Sequence, residues 1–568
     1  MNAEKRQRMN FVKKYFLNKA YSIIILICLI LLGTLINGII PFLFGIVIDS
    51  MLHEKINKVV KYIIYMLVLE TFGAFLSTVE GFYGSKITQK ISNEMKKDVL
   101  NHIVYMKMSR LDYYSRGELI NRLEGDTSEI ASTYVGFFTG IIQVIVNALI
   151  SIYFAIILSK ELTLLAMAFL PVLYLGTIIF KKRYQQAKVK LKYFSDKYLG
   201  SINEIFANFE GIKSFNYQNV VEKKFKDVYQ ENLKLSEKVY KMQAKMGFTQ
   251  KLLNTLFDAG VIVCAAILIS SRKLTIGSFV SFNQYIGQLY QTASQVLSYV
   301  MNIASCQVNI DRINGIFSEP AETVKTECIE IKNVNKIQIK NLAFSYTNKE
   351  ILDGLNLQIE SPGLYSLVGI NGSGKSTVLK LIIGLYEYNK GNIWINNMII
   401  NNLSLYEYRE RISYIPKQPF LFNESIEYNL TLGKTIDRER IEFVCRQVGL
   451  YEFIKEQEQK YETIVGEGGI FLSSGTKQKI SIARAALKDS TLWLCDEITS
   501  DLDGQVEADV IGYLKKLSAE KIIIMVSHKI SSIEKSDKIF VINEGCIVSE
   551  GTNAELMEKD LLYRKMFY

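Results

Sequence analysis

From Ala20 to Ile48 the chain reads "AYSIIILICLILLGTLINGIIPFLFGIVI", without one charged side chain. A helix of about 20 apolar residues crosses the hydrocarbon of a bilayer, so this run can cross with residues to spare. Backbone N–H and C=O groups find no water there, and only a helix satisfies them within a single segment. The preceding "MNAEKRQRMNFVKK" is basic. A signal peptide would have a shorter apolar core and a cleavage site. The pattern therefore predicts a first transmembrane helix with a cytoplasmic N-terminus.

Five further apolar segments follow. Tyr62–Val79 is interrupted only by Glu70, Ile130–Ser159 and Leu162–Phe180 are uncharged, Leu252–Ser271 holds only Asp258, and Leu274–Ile310 is uncharged and longer than a membrane requires. Their connections form two sets. Asp49–Lys58, Lys160-Glu161 and Arg272-Lys273 are short, whereas Glu80–Glu129 and Lys181–Lys251 are long and polar. The long set carries Lys86, Lys90, Lys96, Lys97, Lys241 and Lys245, which assigns it to the cytoplasm. Its helical patterning predicts membrane helices that continue beyond the bilayer and reverse near Arg110–Glu118 and Phe209–Asn219. The expected membrane domain is all-α and covers 1–318, with helices near 18–50, 57–103, 130–159, 162–212, 243–271 and 274–318. Glu70 and Asp258 are the acidic residues inside these spans, and no span contains a basic partner. Ionisable groups at such depth usually face a watery path, so both are candidates for a substrate pathway that prefers cationic or amphipathic compounds.

At 568 residues the chain exceeds what one core organises. Its net charge of +10 is spread along the whole length. No basic block marks a nucleic-acid tail, and no nucleic-acid partner is expected. The seven cysteines (Cys28, Cys264, Cys306, Cys328, Cys445, Cys495, Cys546) form no CxxC pair, so reduced thiols are expected.

Composition changes after Ile310. Glu319-Pro320 ends the last helix, and 319–335 reads as a polar linker. From 336 to 568, "IQIKNLAFSY", "LYSLVGI", "TLWLCDE" and "KIIIMVSH" alternate with helical stretches, which predicts an α/β domain with a largely parallel sheet. Gly369–Thr377, "GINGSGKST", fits G-x-x-x-x-G-K-[ST] between an apolar strand and a helix. Gly369, Asn371, Gly372, Ser373 and Gly374 shape a loop whose amides can cradle phosphate, aided by the helix N-terminus. Lys375 is expected on the β- and γ-phosphates, and Ser376, followed by Thr377, on Mg²⁺. Asp496, ending "LWLCD", would complete the Mg²⁺ shell, and Glu497 would polarise the attacking water. His528 ends the next strand, within reach of a γ-phosphate. These residues make the chain an expected ATPase.

Over essentially its full length the chain resembles ABC exporters of the six-helix type, with membrane and P-loop NTPase domains fused as a half-transporter. "GINGSGKST" resembles the family's Walker A, "LWLCDE" its Walker B with the catalytic glutamate, Ser500–Asp503 its D-loop and His528 its switch histidine. Tyr346 matches the aromatic that stacks on adenine. Thr463–Gly469 resembles the stretch that meets the membrane domain's coupling helices, a role the two reversals would fill. The resemblance implies ATP and Mg²⁺ as ligands. It also implies a dimer with a second half-transporter chain, in which each ATP lies between one P-loop and the other chain's signature.

Two motifs depart from the family. The signature L-S-G-G-Q-x-Q-R appears as Leu472 to Lys479, "LSSGTKQK", so Ser473 and Gly475 are kept while Ser474 replaces a glycine that allows close approach. In "YIPKQPFLF" Lys417 stands where the family has its Mg²⁺-touching glutamine, and Gln418 follows. A shift of the loop by one place would return Gln418 to that role. The expected function is ATP-driven export of a peptide, drug-like compound or lipid across the cytoplasmic membrane, with an ATP-gated channel as the alternative. No peptidase-like domain precedes the first helix, so built-in leader cleavage is not expected. The motifs accommodate a homodimer or a heterodimer.

Overall fold

The computed structural model describes residues 11, 13–17, 19–322, 331–346 and 349–567. Cys328 and the basic start Met1–Asn10 lie outside them, as do 323–330 of the expected linker and the side chains of 173–180 in the fourth span. The chain divides into two compact units, Met1–Tyr105 with Tyr114–Pro320, and Met106–Tyr113 with Ala321–Tyr568.

The first unit contains six long helices: α1 (Ala20–Leu52), α2 (Ile56–Val104), α3 (Thr127–Leu158), α4 (Lys160–Ala207), α5 (Gln218–Ser270) and α6 (Ile276–Ser318). Among the described residues, α1, α2, α5 and the helical stretch leading through α3 are long and apolar enough to cross a membrane. The turns between spans are closed by side chains. Ser159 caps α4 by accepting from the Leu162 amide, and Thr275 caps α6 by accepting from the Ser278 amide. Asp49, at the end of α1, accepts from the Gly277 amide at 2.8 Å and from the Thr275 hydroxyl at 2.7 Å, which ties the first helix to the start of the last. A Cβ at Gly277 would strike the Gly45 carbonyl, so a small residue is what allows α1 and α6 to touch backbone to backbone there. Pro41 interrupts the α1 ladder. Nearby, α6 donates the Ser281 hydroxyl to the Pro41 carbonyl and the Tyr285 hydroxyl to the Gly38 carbonyl.

The two acidic span residues lie apart in sequence and on separate helices, Glu70 on α2 and Asp258 on α5, and each is exposed on the single chain. Phe257, beside Asp258, is buried instead, stacked on Phe169 and edge-on to Tyr290 at 5.0 Å.

Among the described residues, the second unit holds ten strands in two sheets. One is antiparallel, in the order β2 (Glu350–Ile359), β1 (Ile337–Ser345), β4 (Lys390–Ile395), β5 (Met398–Ile399). The other runs β10 (Cys546–Gly551), β9 (Lys538–Asn543), β3 (Gly363–Gly369), β8 (Ile522–Val526), β7 (Leu492–Asp496), β6 (Ile412–Ile415), parallel except at the β9–β10 edge. The expected parallel sheet is thus present, but "IQIKNLAFSY" belongs to the antiparallel one. β1 alternates buried and exposed positions only in part, as a strand covered on one face does, whereas β3, β7 and β8 are buried throughout, as parallel strands covered on both faces are. One core fills the space between the sheets around the helix α7 (Lys375–Ile382). A second core packs α8 (Ser474–Leu487) and α9 (Gly504–Leu517) on the other face.

The tip of the reversal after α2 belongs to this second unit. Met106 bridges Ala321, Lys107 Nζ lies 2.6 Å from Glu387 Oε1, and the Tyr386 hydroxyl donates to Asp112 at 2.8 Å. The other reversal, a short helix at Phe209–Ser214, belongs to the first unit and leaves Phe215 and Tyr217 exposed. The six cysteines among the described residues are free thiols.

Candidate nucleotide site

Three parallel strands, β3, β7 and β8, deliver the P-loop, Asp496-Glu497 and Ser527-His528 to one end of the sheet. That is where a ligand is expected in an open α/β architecture. The P-loop turns into α7 through Gly374, whose φ of 102° is open to glycine alone at no steric cost. A Cβ at that position would also come within 2.5 Å of Leu352 Cδ2. Lys375 is buried and donates to the Gly369 and Ile370 carbonyls at 2.8 and 2.9 Å, so its ammonium lies inside the loop. Burial pushes its pKa down, against the pull of Glu497 and Asp496. The Ser373 hydroxyl is buried in the same loop without a hydrogen-bond partner among the described residues. A buried, unpaired donor inside a ring of backbone amides fits a phosphate oxygen.

The Ser376 hydroxyl donates to Asp496 Oδ1 at 2.7 Å. A hydroxyl and one carboxylate converging beside a phosphate cradle are the hard oxygen donors that Mg²⁺ takes at nucleotide sites, where substrate and water supply the rest. Burial raises the Asp496 carboxyl, and the Ser376 hydrogen bond acts against it.

Glu497 follows the strand at φ 50°, a left-handed conformation that costs a non-glycine residue of order 1–3 kcal/mol. Its amide donates to the Val526 carbonyl at 3.0 Å, which anchors the strained position between two strand ends. Its carboxylate meets a lysine and a histidine. Lys417 Nζ lies 2.6 Å from Oε2, and His528 Nε2 lies 3.4 Å from Oε1. Burial by itself would raise this carboxyl, but Lys417, His528 and Lys375 outweigh it and hold it below the usual glutamate range. The pair raises Lys417 in turn. His528 is pushed below its usual value, by burial first and then by Lys375.

Lys417, then, reaches Glu497, while Gln418 is exposed without a contact of that kind among the described residues. The residue type alone marked position 417 as a departure, but not as a partner of Glu497. Tyr346 is half-exposed, and its ring is set edge-on by Phe344 and Tyr386 at 4.8 and 5.0 Å. Lys380 of α7 lies 6.0 Å above the ring. No local pattern pointed to Tyr386, although it braces Tyr346 and holds Asp112 with its hydroxyl.

Ser473, Ser474 and Gly475 open α8. Ser473 is the N-cap, and its side chain accepts from the Thr476 amide at 3.1 Å. Ser474 is exposed, and a Cβ at Gly475 would lie 3.3 Å from the Asp501 carbonyl, so this helix start sits beside the chain's own Ser500–Asp503 turn.

Comparison with known proteins fits this geometry. Residues 23–293 match the model of the ABC transporter transmembrane region, and residues 352–500 match the ABC transporter model. The chain is 29% identical over 485 residues to the lactococcin-G-processing and transport ATP-binding protein LagD of Lactococcus lactis subsp. lactis, covering 84% of this chain and 69% of that one. It is 27% identical over 516 residues to an ATP-dependent lipid A-core flippase of Pseudomonas aeruginosa, covering 89% and 83%. The fold superposes on a bacterial Atm1-family ABC exporter with ATP bound at a TM-score of 0.85 and 22% identity, over 96% of this chain and 98% of the other. The chain belongs to the ABC exporters, membrane proteins in which ATP hydrolysis drives transport, with its transmembrane region and its ATPase fused in one polypeptide.

Proposed function

We propose that this chain is one half of a dimeric pump in the cytoplasmic membrane, with its N-terminus and nucleotide unit in the cytoplasm, that works by alternating access. The observation that carries the reading is the convergence of Lys375, Ser376, Asp496, Glu497 and His528 at one sheet end, on a chain whose other unit is a bundle of membrane-length helices. Lys375 and the P-loop amides hold the β- and γ-phosphates, and Tyr346 stacks on adenine. Ser376 and Asp496 hold Mg²⁺, which when bound neutralises charge on the phosphates. Glu497 accepts a proton from the attacking water, and His528 donates a hydrogen bond to the γ-phosphate.

The partner is a second copy of the chain. Its Ser473 and the amides at the start of its α8 complete each ATP site, and its nucleotide unit receives the exposed aromatic tip at Phe209–Asn219. Positive charge on the long connections supports the sidedness. The relatives' names point to a peptide, lactococcin G, and to a lipid, lipid A-core, so the cargo is an amphipathic compound of one of these kinds or a drug-like one. Glu70 and Asp258, exposed on the single chain, are available to a cavity shared by two chains.

Inside-out vesicles containing the purified protein test this reading. ATP should drive uptake of a cationic amphipathic compound beyond its equilibrium level. The Glu70→Gln, Asp258→Asn double variant should lose most of that uptake while keeping ATP hydrolysis. Uptake that only equilibrates would assign the chain to the gated channels. Unchanged uptake in the double variant would remove the acidic pathway.

A further inference from the structure

Lys417 occupies an unusual electrostatic position. Its ammonium lies 2.6 Å from Glu497 and also feels Asp496, the proposed metal carboxylate, and Asp501. Lys375 also interacts electrostatically with the same two carboxylates. The two carboxylates Asp496 and Glu497 are therefore balanced by two lysines. A neutral glutamine at 417 would leave the cluster one charge more negative. Lys417 is also accessible, its side chain 58% exposed, so it can follow an incoming phosphate without disturbing the core.

Each partner of the reaction senses this added charge differently. A triphosphate is drawn to it, whereas a divalent cation between Asp496 and the phosphates is repelled by it. Both effects reduce what the metal contributes to holding the nucleotide. We propose that Lys417 takes over part of the charge neutralisation at the phosphate site, so that this chain binds ATP with less dependence on Mg²⁺ than the same site with glutamine would. The inference rests on the phosphate site described above and concerns binding, not the chemical step.

The experiment measures the Kd for ATP on the purified full-length protein, with excess Mg²⁺ and with EDTA, for the wild type and for Lys417→Gln and Lys417→Arg. The ratio of the EDTA value to the Mg²⁺ value removes differences in protein quality, because each variant is its own reference. The ratio should rise roughly tenfold in Lys417→Gln, equivalent to about 1.4 kcal/mol of lost coupling compensation. In Lys417→Arg it should stay near the wild-type value, because the charge is kept. An unchanged ratio in Lys417→Gln overturns the proposal. So does an arginine variant that behaves like glutamine, since shape rather than charge would then be acting. Lys375→Ala separates this from the underlying assignment: it should weaken ATP binding in both buffers, and full affinity in that variant would remove the phosphate site itself.

Discussion

The P-loop end of the sheet and the segment Phe471–Lys479 lie in the same unit and serve the same ligand in the reading above, yet they are built in opposite ways. At the sheet end the P-loop lysine and the aspartate that ends β7 are buried. Lys375 is 5% exposed and Asp496 6%, and their partners come from within the chain. A buried charge persists only where hydrogen bonds and counter-charges are supplied, and here the chain supplies them to Lys375 and Asp496, leaving the Ser373 hydroxyl for a ligand. Where the signature segment begins, two large apolar side chains are exposed. Ile470 and Phe471 are 72% and 77% open, and the Ser473 hydroxyl caps its own helix. Such a surface is completed only by another surface. The first region tolerates little change because its members depend on one another. The second has room for Ser474, because that residue is exposed.

This contrast breaks first at Glu497. Replacing it by glutamine keeps the size and removes the proton acceptor, so ATP should still bind while turnover falls by roughly 10²- to 10⁴-fold. Nucleotide trapping alongside steady-state hydrolysis checks both halves, and a variant that keeps most of its turnover would show that the cluster is not the hydrolytic one.

A smaller effect concerns pH. Glu497 is held below the usual glutamate range and His528 below the usual histidine value of about 6.5. Both groups therefore release their protons at lower pH than their free counterparts. The pH profile of kcat should show no titration midpoint of either group between about 6.5 and 8. A step at or above 6.5 that disappears in His528→Gln would mean that burial and Lys375 do not depress the imidazole.

The smallest effect is expected in the signature. Ser474→Gly restores close approach at an exposed position, and the ATPase rate of the chain expressed alone should rise by roughly two- to tenfold, the range of one ordinary polar contact. If the rate is unmoved, the signature does not limit hydrolysis and the contrast narrows to stability alone. A lone chain that forms no dimer by mass measurement would point to a different partner chain.

Much of this was legible in the sequence because it depends on order along the chain. Uncharged runs such as Ala20–Ile48 imply helices, since no other backbone arrangement satisfies its hydrogen bonds within one segment in hydrocarbon. Gly374, Lys375 and Ser376 announce a phosphate loop because consecutive residues form it. The membership of "IQIKNLAFSY" in an antiparallel sheet was not legible, because strand pairing joins β1 to β2 and β4 through contacts that its own alternation does not encode. The resemblance implies that the reversal near Arg110–Glu118 meets the nucleotide domain, but its partners there, Glu387 for Lys107 and Tyr386 for Asp112, were not legible. For position 417 the sequence determined only that a charged residue stands where the family keeps a neutral one. The tertiary structure decided what that charge does, because an ammonium's effect is set by its distance to Glu497 and by the burial around both, and neither distance nor burial exists until β6 and β7 lie side by side.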